Sequence, residues 1–209
     1  MIHSLTRLGR TNMVTLLLDS SNKYLAVGLS HDGKVIDKTY YEAWQRQSEM
    51  MIPEIDKILE RNKFDRHYID SVVVGIGPGS YTGVRIAITI AKTIGYALKV
   101  KVYTRSSLSL LKARKNATIC IFNARSSRSY FAVYEGDKCL EEECVKTNEE
   151  VLKYISEHKD YVVNGDTAHL GIESGEFDVL QNLADSVNDR YLAKDVFTIN
   201  PIYLKDLTK

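Results

Sequence analysis

At 209 residues, with 44% apolar residues and a formal net charge of +1, the chain can form one large domain or two small ones around an ordinary core. No apolar run approaches the roughly 18 residues a membrane-crossing helix needs. The three cysteines, Cys120, Cys139 and Cys144, lack metal-ligand spacing, and their odd number points to free thiols in a reducing, cytoplasmic setting.

In chain order, MIHSLTRLGRTN lacks the apolar centre of a secretory signal and reads as an N-terminal extension over 1–12. Val14 to Leu18 is a buried-type strand ending in Asp19, Ser20 and Ser21. Tyr24 to His31 and Lys34 to Tyr41 alternate around Asp32-Gly33, a two-residue hairpin signal. Ser48 to Arg61 has helical periodicity, with Met51, Ile52, Ile55, Ile58 and Leu59 on one face and Pro53 either opening or kinking it.

Next comes the stretch on which the chain is organised, Ser71 to Lys101. A valine-rich strand passes through Gly75, Gly77, Pro78 and Gly79 into a long helix over Ser80 to Leu98, with Ser80 or Thr82 as its N-cap. Gly83, Ala87, Ala91 and Gly95 recur every four residues as a ridge of small side chains, beside Ile86, Ile90, Ile94 and Leu98. The apolar surface is wider than a helix on one sheet requires, so a second surface is expected to cover it: either the chain's own core or a partner. The glycine turn matches neither dinucleotide nor Walker spacing, since Thr82 stands where a third glycine belongs and no Lys-Ser/Thr follows. Val100 to Tyr103 predicts a short strand and Ser106 to Lys115 a helix.

The order then repeats. Ala117 to Phe122 is a second buried strand, ending in Asn123, Ala124 and Arg125. A hairpin follows over Ser129 to Tyr134 and Cys139 to Lys146, then a helix opened by Thr147 and Glu150 as a capping box, then a strand over Tyr161 to Val163. Leu180, Leu183, Ala184 and Val187 suggest one more helix, and Pro201 to Leu204 a docked terminal segment. The duplication predicts an α/β molecule of two βββαβα lobes, 13–104 and 105–209, with a polar turn after each first strand facing a shared cleft, as in the actin-like ATPase (ribonuclease-H-like) architecture. Charge follows the halves. Ser71 to Tyr134 holds ten Lys or Arg and no acid, whereas Glu135 to the end has seventeen acids against eight bases. Such blocks suit a basic surface for nucleic acid or nucleotide, or two faces that neutralise each other within the fold.

The segment GIGPGSYTGVRIAITIAKTIG resembles the signature of the bacterial TsaB (YeaZ) family. Further matches are LDSS at 18–21, IPEI at 52–55, NAR at 123–125 with Tyr130, GDTA at 165–168 and PIYLK at 201–205. The resemblance implies a non-catalytic scaffold needed for threonylcarbamoyl transfer to the tRNA adenosine next to the anticodon, paired with the TsaD transferase through the first two helices. Met51, Ile55, Gly83, Ala87, Ile90, Ala91, Ile94 and Gly95 are then candidate partner contacts, half of a four-helix interface. Asp19, Ser20, Gly79, Asn123, Arg125, Gly165 and Asp166 are candidate nucleotide contacts. The implied partners are a TsaD-like transferase, a TsaE-like ATPase and, when alone, a second copy, with tRNA met only through the complex and no membrane. No cofactor is expected to stay on the isolated chain, with ATP or ADP entering only within the complex.

The metal-binding histidines of the transferase have no counterpart in VYTRSSLSLL at 102–111. His3, His31, His67, His158 and His169 show no metal spacing, so no catalytic or metal-ligating residue is nominated. Three positions depart from the family pattern. Asn123 stands for a common Asp, which removes an anchor for hydrated Mg²⁺. Ser127-Arg128 stands for a Gly-Glu pair, and Gln47 for a frequent His. The alternative reading is a small actin-like ATPase or phosphotransferase using the cleft between the lobes.

Overall fold

The computed structural model describes residues 12–43 and 45–204; the expected extension over 1–12 lies, but for Asn12, outside them. Among the described residues, nine strands fall into two sheets. The first is built from β1 (Val14–Asp19), β2 (Tyr24–His31), β3 (Lys34–Glu42), β4 (Ser71–Gly75) and β5 (Lys101–Arg105), in the order β3-β2-β1-β4-β5. The second is built from β6 (Thr118–Arg125), β7 (Arg128–Glu135), β8 (Lys138–Thr147) and β9 (Val162–Gly165), in the order β8-β7-β6-β9. In each sheet the first strand pairs antiparallel with the hairpin and parallel with the later strand. The sequence repeat is therefore a structural repeat.

Among the described residues four α-helices complete the fold: α1 (Gln47–Arg61), α2 (Tyr81–Leu98), α3 (Asn148–Glu157) and α4 (Val179–Ala184). Helices α1 and α2 cover the outer face of the first sheet, where Leu16, Leu18, Val72 and Val74 meet Met51, Ile58, Val84, Ala87 and Ala91. The opposite face presents Leu17, Ala26 and Val73 to α4 and to Cys120, Phe122 and Ala132 of the second sheet. Helix α3 closes the far side against Ile119, Ile121, Phe131 and Val133. Strands β1 and β4 are buried throughout because both faces of their sheet are covered.

Local chemistry explains most boundaries. Asp32 and Gly33 both take positive φ (50° and 78°), as a two-residue hairpin turn requires. Ser80 caps α2 by accepting from the Gly83 amide, and Thr147 with Glu150 forms the capping box of α3. Pro53 sits inside α1 without ending it.

Two predicted elements differ. Strand β2 does not alternate; it is buried on both faces because α1 lies on one side and α4 on the other. The helix predicted over Ser106 to Lys115 shrinks to a single 3-10 turn at Ser109–Leu111. Its serines bond elsewhere: Ser106 to Glu143, Ser107 to Asp19, Ser109 to the Ser106 carbonyl. Such side chains compete with helical backbone bonding.

Candidate functional site

Between the sheets opens a cleft of about 690 Å³, lined by Ser21, Lys23 and Glu42 of the first β-turn region, Gly79 to Thr82 at the start of α2, and Asn123, Arg125, Tyr130 and Asp166 of the second lobe. The two strand-end turns thus face each other, as the repeat predicts. Of the candidate nucleotide contacts, Gly79, Asn123, Arg125 and Asp166 line this cleft.

Asp19 and Ser20 do not. They lie beneath its floor, 4% and 0% exposed. Asp19 Oδ1 accepts from the Ser21 amide (3.0 Å) and hydroxyl (2.8 Å), while Ser107 Oγ donates to Oδ2 (2.9 Å). Burial pushes the Asp19 pKa above its ordinary value, against the opposing pull of the Ser21 and Ser107 hydrogen bonds. Gly165 lines a second pocket, of about 700 Å³, together with Tyr24, Lys38, Tyr40 and residues 174–180. There the Tyr24 and Tyr40 rings stack at 4.9 Å, and Lys38 Nζ reaches Asp178 at 2.8 Å.

The glycine turn owes its composition to packing. A Cβ on Gly75 would come within 1.8 Å of Asp19 Oδ2, one on Gly79 within 2.1 Å of the Ser21 carbonyl oxygen, and one on Gly83 within 1.9 Å of the Ser20 carbonyl oxygen. The Ser80 amide donates to Ser21 O (2.6 Å), and Ser20 Oγ donates to Gly83 O (2.8 Å). The space that glycines leave for phosphate in a nucleotide loop is filled by the chain's own turn.

The small ridge of α2 also turns inward. Gly83, Ala87, Ala91 and Gly95 are all buried, and a Cβ on Gly95 would lie 2.4 Å from Val102 Cγ2. Met51 and Ile55 of α1 are likewise core residues, 0% and 5% exposed. These six expected partner contacts are therefore corrected to interior positions: small residues let α2 lie close on its own sheet. Ile90 and Ile94, with Ile86, form the half-buried outer row of α2, and Ile52 of α1 is 46% exposed. Gln47, at the start of α1, donates from Nε2 to Asn22 O (3.1 Å) and ties that helix to the first turn.

Sequence reasoning missed Lys23, Glu42 and Tyr130 as cleft residues, and Ser107 as the support of Asp19. Lys23 lies two residues beyond the polar turn, a signal within reach; Ser107 had none. Spacing also missed a contact between Ser129 Oγ and His169 Nε2 at 2.8 Å. Ser129 is 0% exposed and its hydroxyl also meets Asn148 Oδ1 (3.0 Å), so no substrate reaches it. Among the described residues no group of three or more His, Cys, Asp or Glu is placed to hold a metal ion.

Comparison with known proteins bears on this arrangement. Residues 41–193 match the family model for TsaD, tRNA N6-adenosine threonylcarbamoyltransferase. The TsaB protein of Bacillus subtilis, a tRNA threonylcarbamoyladenosine biosynthesis protein, is 31% identical over 137 residues, covering 64% of this chain and 60% of that protein. The Escherichia coli TsaB is 29% identical over 133 residues, covering 60% and 57%. The chain belongs to the TsaD-like family, in its TsaB/YeaZ branch. These matches span roughly three fifths of the curated relatives' own length.

For the fold of this TsaB/YeaZ-branch chain, two solved structures agree. A Pseudomonas aeruginosa protein described as similar to peptidase YeaZ superposes with a TM-score of 0.80 at 21% identity, over 92% of this chain and 100% of that one. YeaZ from Pseudomonas aeruginosa superposes with a TM-score of 0.74 at 20% identity over the same shares. The actin-like, ribonuclease-H-like fold is thereby that of this TsaB/YeaZ-branch chain. Among the described residues no helix is long and apolar enough to cross a membrane.

Proposed function

We propose that this chain is a non-catalytic subunit of tRNA threonylcarbamoyladenosine synthesis, acting by docking on a TsaD-like transferase through α1 and α2. The observation that carries this reading is the outer row of α2. Ile86, Ile90 and Ile94 run along it half-buried, and Ile52 of α1 is 46% exposed. Apolar surface of this kind on a helix pair is what a helical partner covers. The names of the relatives supply the pathway; the closed glycine turn, filled by Asp19–Ser21, supports a scaffold over a phosphate-processing enzyme. The test is light scattering on the chain mixed with the TsaD-like protein of its own host. A one-to-one complex is expected, and two species that stay separate at micromolar concentration would refute the reading.

A second reading has its own observation. The 690 Å³ cleft brings Lys23 and Arg125 beside the N-terminus of α2, a setting that attracts phosphate. Asn123 is exposed at its edge and accepts from the Arg125 amide (2.8 Å) rather than offering a carboxylate. ATP or ADP is therefore placed here as a ligand held within the complex, without turnover by this chain. Titration calorimetry with ADP, with and without the partner, tests this; steady ATP hydrolysis by the chain alone would favour the ATPase reading instead.

A further inference from the structure

Far from the cleft, the hairpin of the second sheet grips the end of β5 and the residues that follow it. The β6–β7 ladder runs from Arg125↔Arg128 at the cleft end to Thr118↔Tyr134 at the other, and the β7–β8 turn lies beyond that second end. From this turn Asp137 Oδ1 accepts from Arg105 Nη2 (2.9 Å) and from Lys112 Nζ. On β8, Glu143 Oε1 accepts from Tyr134 Oη (2.6 Å) and from Ser106 Oγ. The Arg105 guanidinium also lies over the Tyr191 ring at 4.1 Å, and its side chain is only 6% exposed.

The same segment holds the floor of the cleft on its other side. Arg105 O accepts from the Ile76 amide (2.8 Å), Ser107 O–H and N–H go to Asp19 Oδ2 (2.9 Å) and Gly77 O (2.7 Å), and Ser107 Oγ accepts from the Gly77 amide (3.0 Å). The glycine turn in turn sets where α2 begins, through the Ser80 amide on Ser21 O. Residues 105–107 thus touch the lobe 2 hairpin at one side and the glycine turn at the other.

We propose that Arg105–Ser107 is a strut, and that Asp137 and Glu143 are positioning residues that fix the glycine turn and the start of α2 from the opposite lobe. Charge-assisted bonds to Arg105 and Lys112 are the strong kind, and Arg105 Nε is buried without a hydrogen-bond partner among the described residues, which leaves Asp137 as the carboxylate that holds the guanidinium there. Mobility at the hairpin would then appear at the glycine turn, through packed segments with discrete bonds rather than through the cleft itself. The inference needs no docking partner and stands or falls separately from the proposed function.

The test is amide hydrogen exchange on the full chain, comparing wild type with Asp137→Asn, Glu143→Gln, Asp137→Glu and the exposed control Glu142→Gln. Asp137→Asn and Glu143→Gln are expected to speed exchange at Ile76, Gly77 and Ser80 by about tenfold or more, the scale of one lost charge-assisted bond acting on a local opening. Exchange in β6 and α3 should stay unchanged. Asp137→Glu should recover part of the protection and Glu142→Gln should change nothing. Faster exchange confined to residues 134–143 would overturn the proposal, as would a uniform rise across the whole chain.

Discussion

Asp19 is the carboxyl that a nucleotide reading would put to work, yet it is sealed under the cleft among three hydrogen-bond donors. Its raised pKa carries a signed consequence. The folded chain holds the proton more tightly than the unfolded chain, so stability falls as pH rises from the ordinary carboxylate range through the raised value, and the loss is complete above it. Asp19→Asn removes that penalty while keeping an acceptor for Ser21. Its melting temperature relative to wild type is expected to climb as pH rises above the ordinary carboxylate value of about 4; a difference that stays constant with pH would show that Asp19 does not titrate. Gly83 offers a second residue-scale test. An added methyl would meet the Ser20 carbonyl oxygen at 1.9 Å, and backbone cannot step aside as a flexible side chain can. Gly83→Ala is expected to cost at least the upper end of the about 1–3 kcal/mol typical of overpacking, read by urea denaturation. The glycines were legible in the sequence as a tight turn, but not what fills the space beside them, because the contact joins residues some sixty positions apart.

Among the elements, α2 separates what periodicity can show from what it cannot. Its length, cap and four-residue rhythm are local properties, and Ser80 to Leu98 follows from them. Which of two apolar rows faces inward depends on the sheet beneath. Close approach to β4 and β5 demands the small row, so Gly83, Ala87, Ala91 and Gly95 go inside and the isoleucines stay outside. Substitutions should divide accordingly. Ala91→Arg buries an unpaired charge in the core and is expected to unfold the chain, whereas Ile90→Arg should leave its melting temperature near wild type and abolish association with the transferase. Thermal melting beside light scattering checks both; normal association by Ile90→Arg would place the interface elsewhere. The lost helix after β5 has a similar origin: Ser106 to Leu111 looked helical by pattern, but its serines are claimed by Asp19 and Glu143 from distant parts of the chain.

Across the whole molecule, the duplication was the feature most open to reading from sequence, since strand, hairpin, helix and strand recur with their turn residues. Its outcome is two sheets that share one central core through Leu17, Val73, Cys120 and Phe122. The charge blocks read from sequence prove partly internal: Arg105 and Lys112 of the basic stretch meet Asp137 of the acidic one. What remains outward on α1 and α2 includes exposed Ile52 and the half-buried row Ile86, Ile90 and Ile94, and on these the proposed role depends. The most direct measurement is reconstitution of threonylcarbamoyladenosine on tRNA, quantified by mass spectrometry after nucleoside digestion. The mixture contains the host's TsaD-like transferase, its TsaE-like ATPase, threonylcarbamoyl donor and ATP, with this chain present, absent or replaced by Ile90→Arg. Modified adenosine is expected only when the transferase and the unaltered chain are both present, and never from this chain without the transferase. Equal product without the chain, or product from the chain alone, would contradict its place as a required, non-catalytic subunit.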